Sequence, residues 1–232
     1  MPPIALLHFL LLRNTIRHTL KAKITGLLQK PLLEAFEEVK DLPPKKAIVA
    51  LLPRILSTKE EIKWRAITIA GKLIASLAET DMAAARIFIR RLIWNLTEES
   101  GGCPLGTPEL IAEALANHKG LAEEYHSILI SYIIPDANYL EFEPLQRGAI
   151  WGIGRVAQVY PEFMREAAPY LSVLLDSEDA YVRGFACWAL SKLGKSSCID
   201  YITKLKDDNT MIRIFDNYQL ESVRISSLLS FS

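Results

Sequence analysis

The segment Glu98-Glu99-Ser100-Gly101-Gly102 places two carboxylates and a hydroxyl beside a pair of glycines, a composition suited to contacting a ligand or partner. Glycines let a backbone approach a bound group closely or take turns closed to other residues, and loops held on rigid scaffolds are where function concentrates. Glutamates that end a helix oppose its macrodipole, so capping alone does not explain Glu98 and Glu99. The competing reading is a plain turn into Pro108. Ser100 has no histidine or acid placed by sequence to activate it, and the chain carries no nucleophile-elbow, P-loop or dinucleotide signature.

A second constellation is Glu123 and His126, whose E-x-x-H spacing sets a carboxylate and an imidazole on one helical face. Glu109 and Glu113 lie i, i+4 on the preceding helix, with His118 near its end, so metal ligation is the chemistry such a set offers. A di-metal site needs a second E-x-x-H pair, which is missing. These residues are therefore read as solvated helix faces, and no metal or cofactor is expected. Arg86, Arg90, Arg91 and Arg155 are the cations left over once the repeat arginines described below are set aside. Arg90 and Arg91 facing a groove beside Glu98 and Glu99 make a mixed-charge patch suited to a protein or peptide partner. The candidate binding set is Glu98, Glu99, Ser100, Gly101, Gly102, Arg90, Arg91 and Arg155.

The bulk properties narrow the classes further. Among 232 residues, 27 basic side chains balance 27 acidic ones, with a pI near 6.9. No global field attracts phosphates, so a nucleic-acid partner is not expected. Cys103, Cys187 and Cys198 are widely spaced and show no metal-ligand pattern, which fits a reducing, cytoplasmic setting. The apolar opening Ile4–Leu12 has signal-peptide length but no basic residue before it and no small-residue cleavage site after it, and it is too short to span a bilayer. It is read as a first helix packed on the end of the fold.

The elements that must position these residues come as helical hairpins. Arg147 is followed by Ala149, Trp151, Ile153 and Gly154, and 36 residues on Arg183 is followed by Ala186, Trp188, Leu193 and Gly194. A repeat of that length built only from helices is the mark of an α-solenoid. WRAITIAGKL from Trp64 repeats the theme with Arg65, and Arg90 and Trp94 share the spacing of Arg147 and Trp151. Trp64, Trp94, Trp151 and Trp188 are thus read as core, and Arg65, Arg147 and Arg183 as stacking devices, with Asp179 and Arg183 placed to pair at i, i+4. The helical pairs are 31–40 with 45–56, 59–79 with 81–97, 107–118 with 121–134, 143–160 with 161–175, and 179–193 with 196–206. Pro53 should kink or shorten the second helix. Residues 210–215 and 218–225 are rich in β-branched and aromatic side chains around Asp216-Asn217, which predicts a terminal β-hairpin with Ser226 capping a last turn of helix.

The fold expected is an all-α, right-handed α-solenoid of helical hairpins ending in a small C-terminal β-hairpin, the competing reading of that end being one more helix pair. Its parts are a helical extension over 1–30, the solenoid over 31–206 and a capping hairpin and tail over 207–232.

At the arginine repeats the sequence resembles known families. Residues Asp176 to Gly194, DSEDAYVRGFACWALSKLG, resemble the HEAT-like repeats of the phycobilin lyase type. That resemblance implies that the acidic residue and the arginine bond to each other and to helix-end backbone groups of adjacent units. A broader stretch, roughly 59 to 194, resembles a family of uncharacterised HEAT-repeat proteins of anaerobic and sulfate-reducing prokaryotes that carry the Glu-Glu-Ser-Gly-Gly loop. Those relatives follow the loop with an aromatic where this chain has Leu105. The resemblance brings no established activity. The leading expectation is a non-catalytic scaffold that uses a concave solenoid surface and the 97–107 loop to bind a protein, with neither nucleic acid nor membrane as partner and the oligomeric state left open. The alternative is a carrier or lyase-like protein of the phycobilin type, holding a tetrapyrrole or similar small ligand in an apolar groove.

Overall fold

The structure, a computed structural model, describes residues 19–97, 104–194 and 203–230. Residues 19–27 are helical (α1), followed by α2 (Leu32–Val39), α3 (Pro44–Leu51), α4 (Glu60–Thr80), α5 (Met82–Thr97), α6 (Thr107–Ala116) and α7 (Lys119–Ser131). After these come α8 (Glu143–Ala157), α9 (Pro161–Met164), α10 (Ala168–Leu174) and α11 (Ala180–Lys192). Local chemistry sets most boundaries. Pro53 ends α3 at Leu51 and leaves a 3-10 turn, Leu52–Arg54. Asp81 caps α5 by accepting from the Ala84 N–H at 3.0 Å. His118 caps α7 through Nδ1, which accepts from Leu121 N–H at 3.2 Å. The single helix expected over 161–175 is broken, because Pro161 and Pro169 each start a helix and a 3-10 turn separates them. Most of the last expected helix, 196–206, lies outside the described residues.

The helices form two layers. α4, α6, α8 and α11 pack side by side, and α5, α7 and the α9–α10 run pair with them on the outer side. This is an all-α solenoid. The chain ends in a two-stranded antiparallel hairpin, β1 (Met211–Asp216) and β2 (Gln219–Arg224), with Asp216 opposite Gln219, and a closing 3-10 segment from Ile225 to Ser230. The turn therefore falls on Asn217 and Tyr218, both at positive φ (48° and 63°), one residue beyond the expected Asp216-Asn217. Asp216 stays in the strand because its carboxylate is committed to Gln158 and Trp188.

Every residue of α6 is buried. That includes Glu109 and Glu113, which the sequence reading placed on solvated faces; they are 3% and 1% exposed. Their burial rests on a crossed arrangement. Glu109 bonds to Lys63 of α4 at 2.7 Å, yet its carboxylate lies over Gly148 of α8. Glu113 bonds to Arg155 of α8 at 2.7 Å, yet its side chain lies over Gly71 of α4, where an added Cβ would stand 2.6 Å from Glu113 Cγ. Each carboxylate thus needs a cation on one neighbour and a missing side chain on the other. Burial opposes the charge on Arg155, but the Glu113 carboxylate outweighs it and holds the guanidinium above its ordinary range.

Each repeat arginine bonds to a segment outside its own helix. Asp179 does not pair with Arg183. It caps α11, accepting from Tyr181 N–H at 2.8 Å and Val182 N–H at 3.2 Å, and it binds Arg147 of α8, whose Nε donates at 2.9 Å. Arg183 instead donates to the Ser177 and Glu178 carbonyls and to Asp208. Arg65 donates to the Leu28 carbonyl beyond α1 at 2.9 Å.

Two outcomes follow from these pairs. Glu113→Ala leaves a buried guanidinium unpaired and should cost about 3–5 kcal/mol in urea unfolding, whereas Glu113→Leu with Arg155→Met should return to within about 1 kcal/mol of wild type. A double variant as unstable as the single one would show that the charges themselves are needed. For Asp179, burial alone would raise the carboxyl pKa, but Arg147 and the α11 N–H groups hold it below the ordinary aspartate range. A depressed folded-state value means stabilisation that is present above the unfolded value of about 3.9 and is lost as pH falls through the folded one. Asp179→Asn keeps the cap but not the charge. It should lose about 1 kcal/mol at pH 7 and show a shallower loss of stability below about pH 4; equal acid limbs would contradict this.

Candidate functional site

The inner face of the α4–α6–α8–α11 layer holds the repeat tryptophans. Trp64 and Trp151 meet with ring centroids 4.6 Å apart, and Trp151 and Trp188 lie 6.2 Å apart with nearly parallel rings. All three are buried. A buried indole N–H needs an acceptor, and the C-terminal hairpin supplies one to two of them. Trp151 Nε1 donates to the Phe215 carbonyl at 2.8 Å, and Trp188 Nε1 to Asp216 Oδ2 at 3.3 Å. Phe215 stacks on Trp64 at 4.6 Å. Gln158 Nε2 donates to Asp216 Oδ1 at 2.6 Å.

The hairpin therefore does not simply extend the array beyond α11. It runs back across α8 and α4 to α2, where Tyr218 meets Phe36 edge to face and Lys72 stands 3.9 Å from the Phe36 ring centre and 4.7 Å from that of Tyr218. Arg213 forms an ion pair with Glu60. Beside the hairpin lies a cleft of about 520 Å³ lined by Trp151, Arg155, Gln158, Lys192, Asp216 and Tyr218, among others. Its charged groups bond to one another or to the layer behind: Asp216 to Gln158 and Trp188, and Arg155 to Glu113.

The outer layer differs. On α5, Trp94 and Ile87 are each 65% exposed, and Arg90 and Arg91 are exposed beside them. Trp94 is thus a correction to the sequence reading, which grouped it with the three core tryptophans. The Arg90–Trp94 spacing copies Arg147–Trp151, but α5 belongs to the other layer and turns that pattern to solvent. Positions 83, 87, 90, 91 and 94 fall within an arc of about 100° on a helix, the width of one face. The opposite face carries the buried Ala85, Ile89 and Leu92.

The remaining candidates are dispersed. Glu98, Glu99, Ser100, Gly101 and Gly102 lie outside the described residues, as do Cys103 and Cys198. The segment after them is described: Gly106, at φ 78°, is the N-cap of α6, and its carbonyl accepts from Leu110 N–H. Arg155 is not a surplus cation beside Arg90 and Arg91 but half of the buried pair with Glu113. His126 bonds to the carbonyls of its own helix and stacks on Phe163. His118 is occupied as a cap, and Glu123 is exposed. Among the described residues, no three His, Cys, Asp or Glu side chains gather closely enough to hold a metal ion. Cys187 is buried. Among the same residues, no helix is long and apolar enough to cross a membrane.

Residues 143–193, from the start of α8 to the end of α11, match the family model of the HEAT-like repeat. An uncharacterised protein of Archaeoglobus fulgidus is 26% identical over 82% of this chain and 96% of its own length. Among solved structures, an engineered protein of the Northeast Structural Genomics Consortium superposes with a TM-score of 0.51 at 18% identity, covering 85% of each chain. A designed armadillo repeat protein in complex with the peptide (KR)4 gives a TM-score of 0.47 at 18% identity, covering 82% of this chain and 85% of its own. At such identity the engineered protein shows a common fold and nothing about function. The helices from α8 to α11 thus match a HEAT-like repeat, within an all-α solenoid whose tryptophan face its own hairpin covers.

Proposed function

We propose that this chain is a non-catalytic interaction scaffold that meets a protein partner on its outer layer and on the 97–107 loop. The observation that carries the reading is α5. An exposed tryptophan and an exposed isoleucine share one face with two exposed arginines, on a helix whose other face is locked into the core. Large exposed apolar side chains grouped on one face mark interaction sites, and tryptophan and arginine are the residues most enriched at the energetic centres of interfaces. The partner was expected on a concave surface, but the chain's own hairpin covers the tryptophan face of the α4–α6–α8–α11 layer, so the proposal moves contact to the other layer and keeps the 97–107 loop. Membership of the HEAT-repeat subgroup that carries the Glu98–Gly102 loop is part of the same proposal.

A tetrapyrrole carrier is supported less well. It needs an apolar groove with exposed aromatics, whereas Trp64, Trp151 and Trp188 are buried under Phe215 and its neighbours. The cleft beside the hairpin has charged walls whose groups already have partners.

The test is affinity purification of tagged full-length protein from its native source, with partner stoichiometry measured by light scattering. The reading expects a near-equimolar protein partner whose recovery falls when Glu98 and Glu99 are changed to alanine. Recovery of the protein with a bound chromophore and no partner would favour the carrier instead, and recovery of the protein alone would contradict the scaffold.

A further inference from the structure

We propose that the exposed face of α5, centred on Ile87, Arg90, Arg91 and Trp94, docks an acidic amphipathic helix of another protein. The inference rests on the scaffold reading and deepens it by naming the surface and the chemistry of its occupant.

Charge decides the partner's sign. The chain as a whole is neutral, yet Met82–Thr97 holds three arginines and no carboxylate. Arg86 is neutralised by Glu124 of α7, which it grips through Nε at 2.8 Å. Neither Arg90 nor Arg91 forms a direct ion pair with a carboxylate among the described residues; Glu124, held mainly by its bond to Arg86, feels Arg90 only as a more distant charge. Two guanidiniums therefore flank the apolar stripe, and acidic side chains on an incoming segment would complete them.

Spacing decides the partner's form. Ile87 and Trp94 stand seven residues apart on one helix face, about 10 Å along its axis. That interval suits a helix laid alongside with its own apolar residues at i, i+3 or i+4, and i+7. A second copy of this chain is a poor occupant, since a two-fold contact would set Arg90 and Arg91 against their own equivalents. Nucleic acid would use the arginines but gain nothing from Ile87, and two cations displace few counterions. A membrane would find only two large apolar side chains, because the opposite face of α5 is held in the core.

The experiment uses full-length protein and a synthetic amphipathic helical peptide of glutamate and leucine, with its lysine-for-glutamate counterpart as control. Trp64, Trp151 and Trp188 are buried, so emission open to acrylamide quenching comes from Trp94 and reports contact at this face. The glutamate peptide should bind saturably with a Kd on the order of 10–100 μM, shift the emission to the blue and protect it from quenching. Arg90→Glu with Arg91→Glu should weaken the glutamate peptide about tenfold or more and favour the lysine peptide. Trp94→Ala, followed by anisotropy of labelled peptide, should also lose about tenfold. All three positions are exposed, and unchanged circular dichroism would confirm that the variants fold.

No binding, equal binding of the two peptides, or indifference to the arginine reversal would overturn the proposal. So would oligothymidylate or phosphatidylserine vesicles producing the same shift at the same concentration, or a dimer abolished by Trp94→Ala. A native partner captured equally by wild-type and Arg90→Glu/Arg91→Glu protein would overturn this surface while leaving the scaffold reading in place.

Discussion

Two carboxylates buried in one helix constrain the rest of this molecule. α6 exposes no face, so the charges of Glu109 and Glu113 must be met from within. Lys63 meets one from α4 and Arg155 meets the other from α8, while Gly148 and Gly71 clear the space on the opposite neighbours. Because each carboxylate is tied to both flanking helices, one by charge and the other by close approach, the spacing of α4, α6 and α8 is fixed as a set. A buried pair need not add net stability over an apolar replacement. Its effect is that sliding any one of these helices would separate an ion pair or drive a carboxylate into a backbone.

That fixed layer brings Trp64, Trp151 and Trp188 together, and their burial creates a need of its own. Indole N–H groups inside a fold require acceptors, and the neighbouring helices have already used their carbonyls. A strand is a good source, because its carbonyls point sideways and some remain unpaired at an edge. β1 supplies the Phe215 carbonyl and the Asp216 carboxylate, and its phenyl ring covers Trp64. The hairpin thereby becomes part of the core. With the tryptophan face filled from within, the large exposed apolar side chains of α5 lie on the other layer, where nothing in the described chain covers them.

Much of the architecture was legible because helical periodicity and proline placement are local. The helices up to α8, the early end of α3 at Pro53 and the terminal hairpin follow from neighbours in sequence. The misreadings share a physical origin in contacts between elements. Asp179 looked like an i, i+4 partner of Arg183, but as an N-cap it stands outside the helix and is free to reach Arg147 of the preceding unit. Glu109 and Glu113 looked solvated because of their type, although beyond Thr107 at its start TPELIAEALA has no other polar residue, which is the pattern of a helix enclosed all round. Trp94 copied the spacing of Trp151, and spacing within a helix does not reveal which layer the helix joins. The candidate site was less legible: Arg90 and Arg91, expected to face a groove with Arg155, are exposed on the other layer, Arg155 is buried against Glu113, and the Glu98–Gly102 loop lies outside the described residues.

The central claim is that the C-terminal hairpin is a permanent part of the inner face, so that partners meet the outer one. Amide hydrogen exchange tests it directly. The β1 amides, together with the Trp151 and Trp188 indole N–H groups, should exchange as slowly as the centre of α8, opening only when the whole domain unfolds. Fast exchange of β1 and of both indoles, with α8 still protected, would mean that the hairpin lifts away under native conditions and that the inner face is open after all.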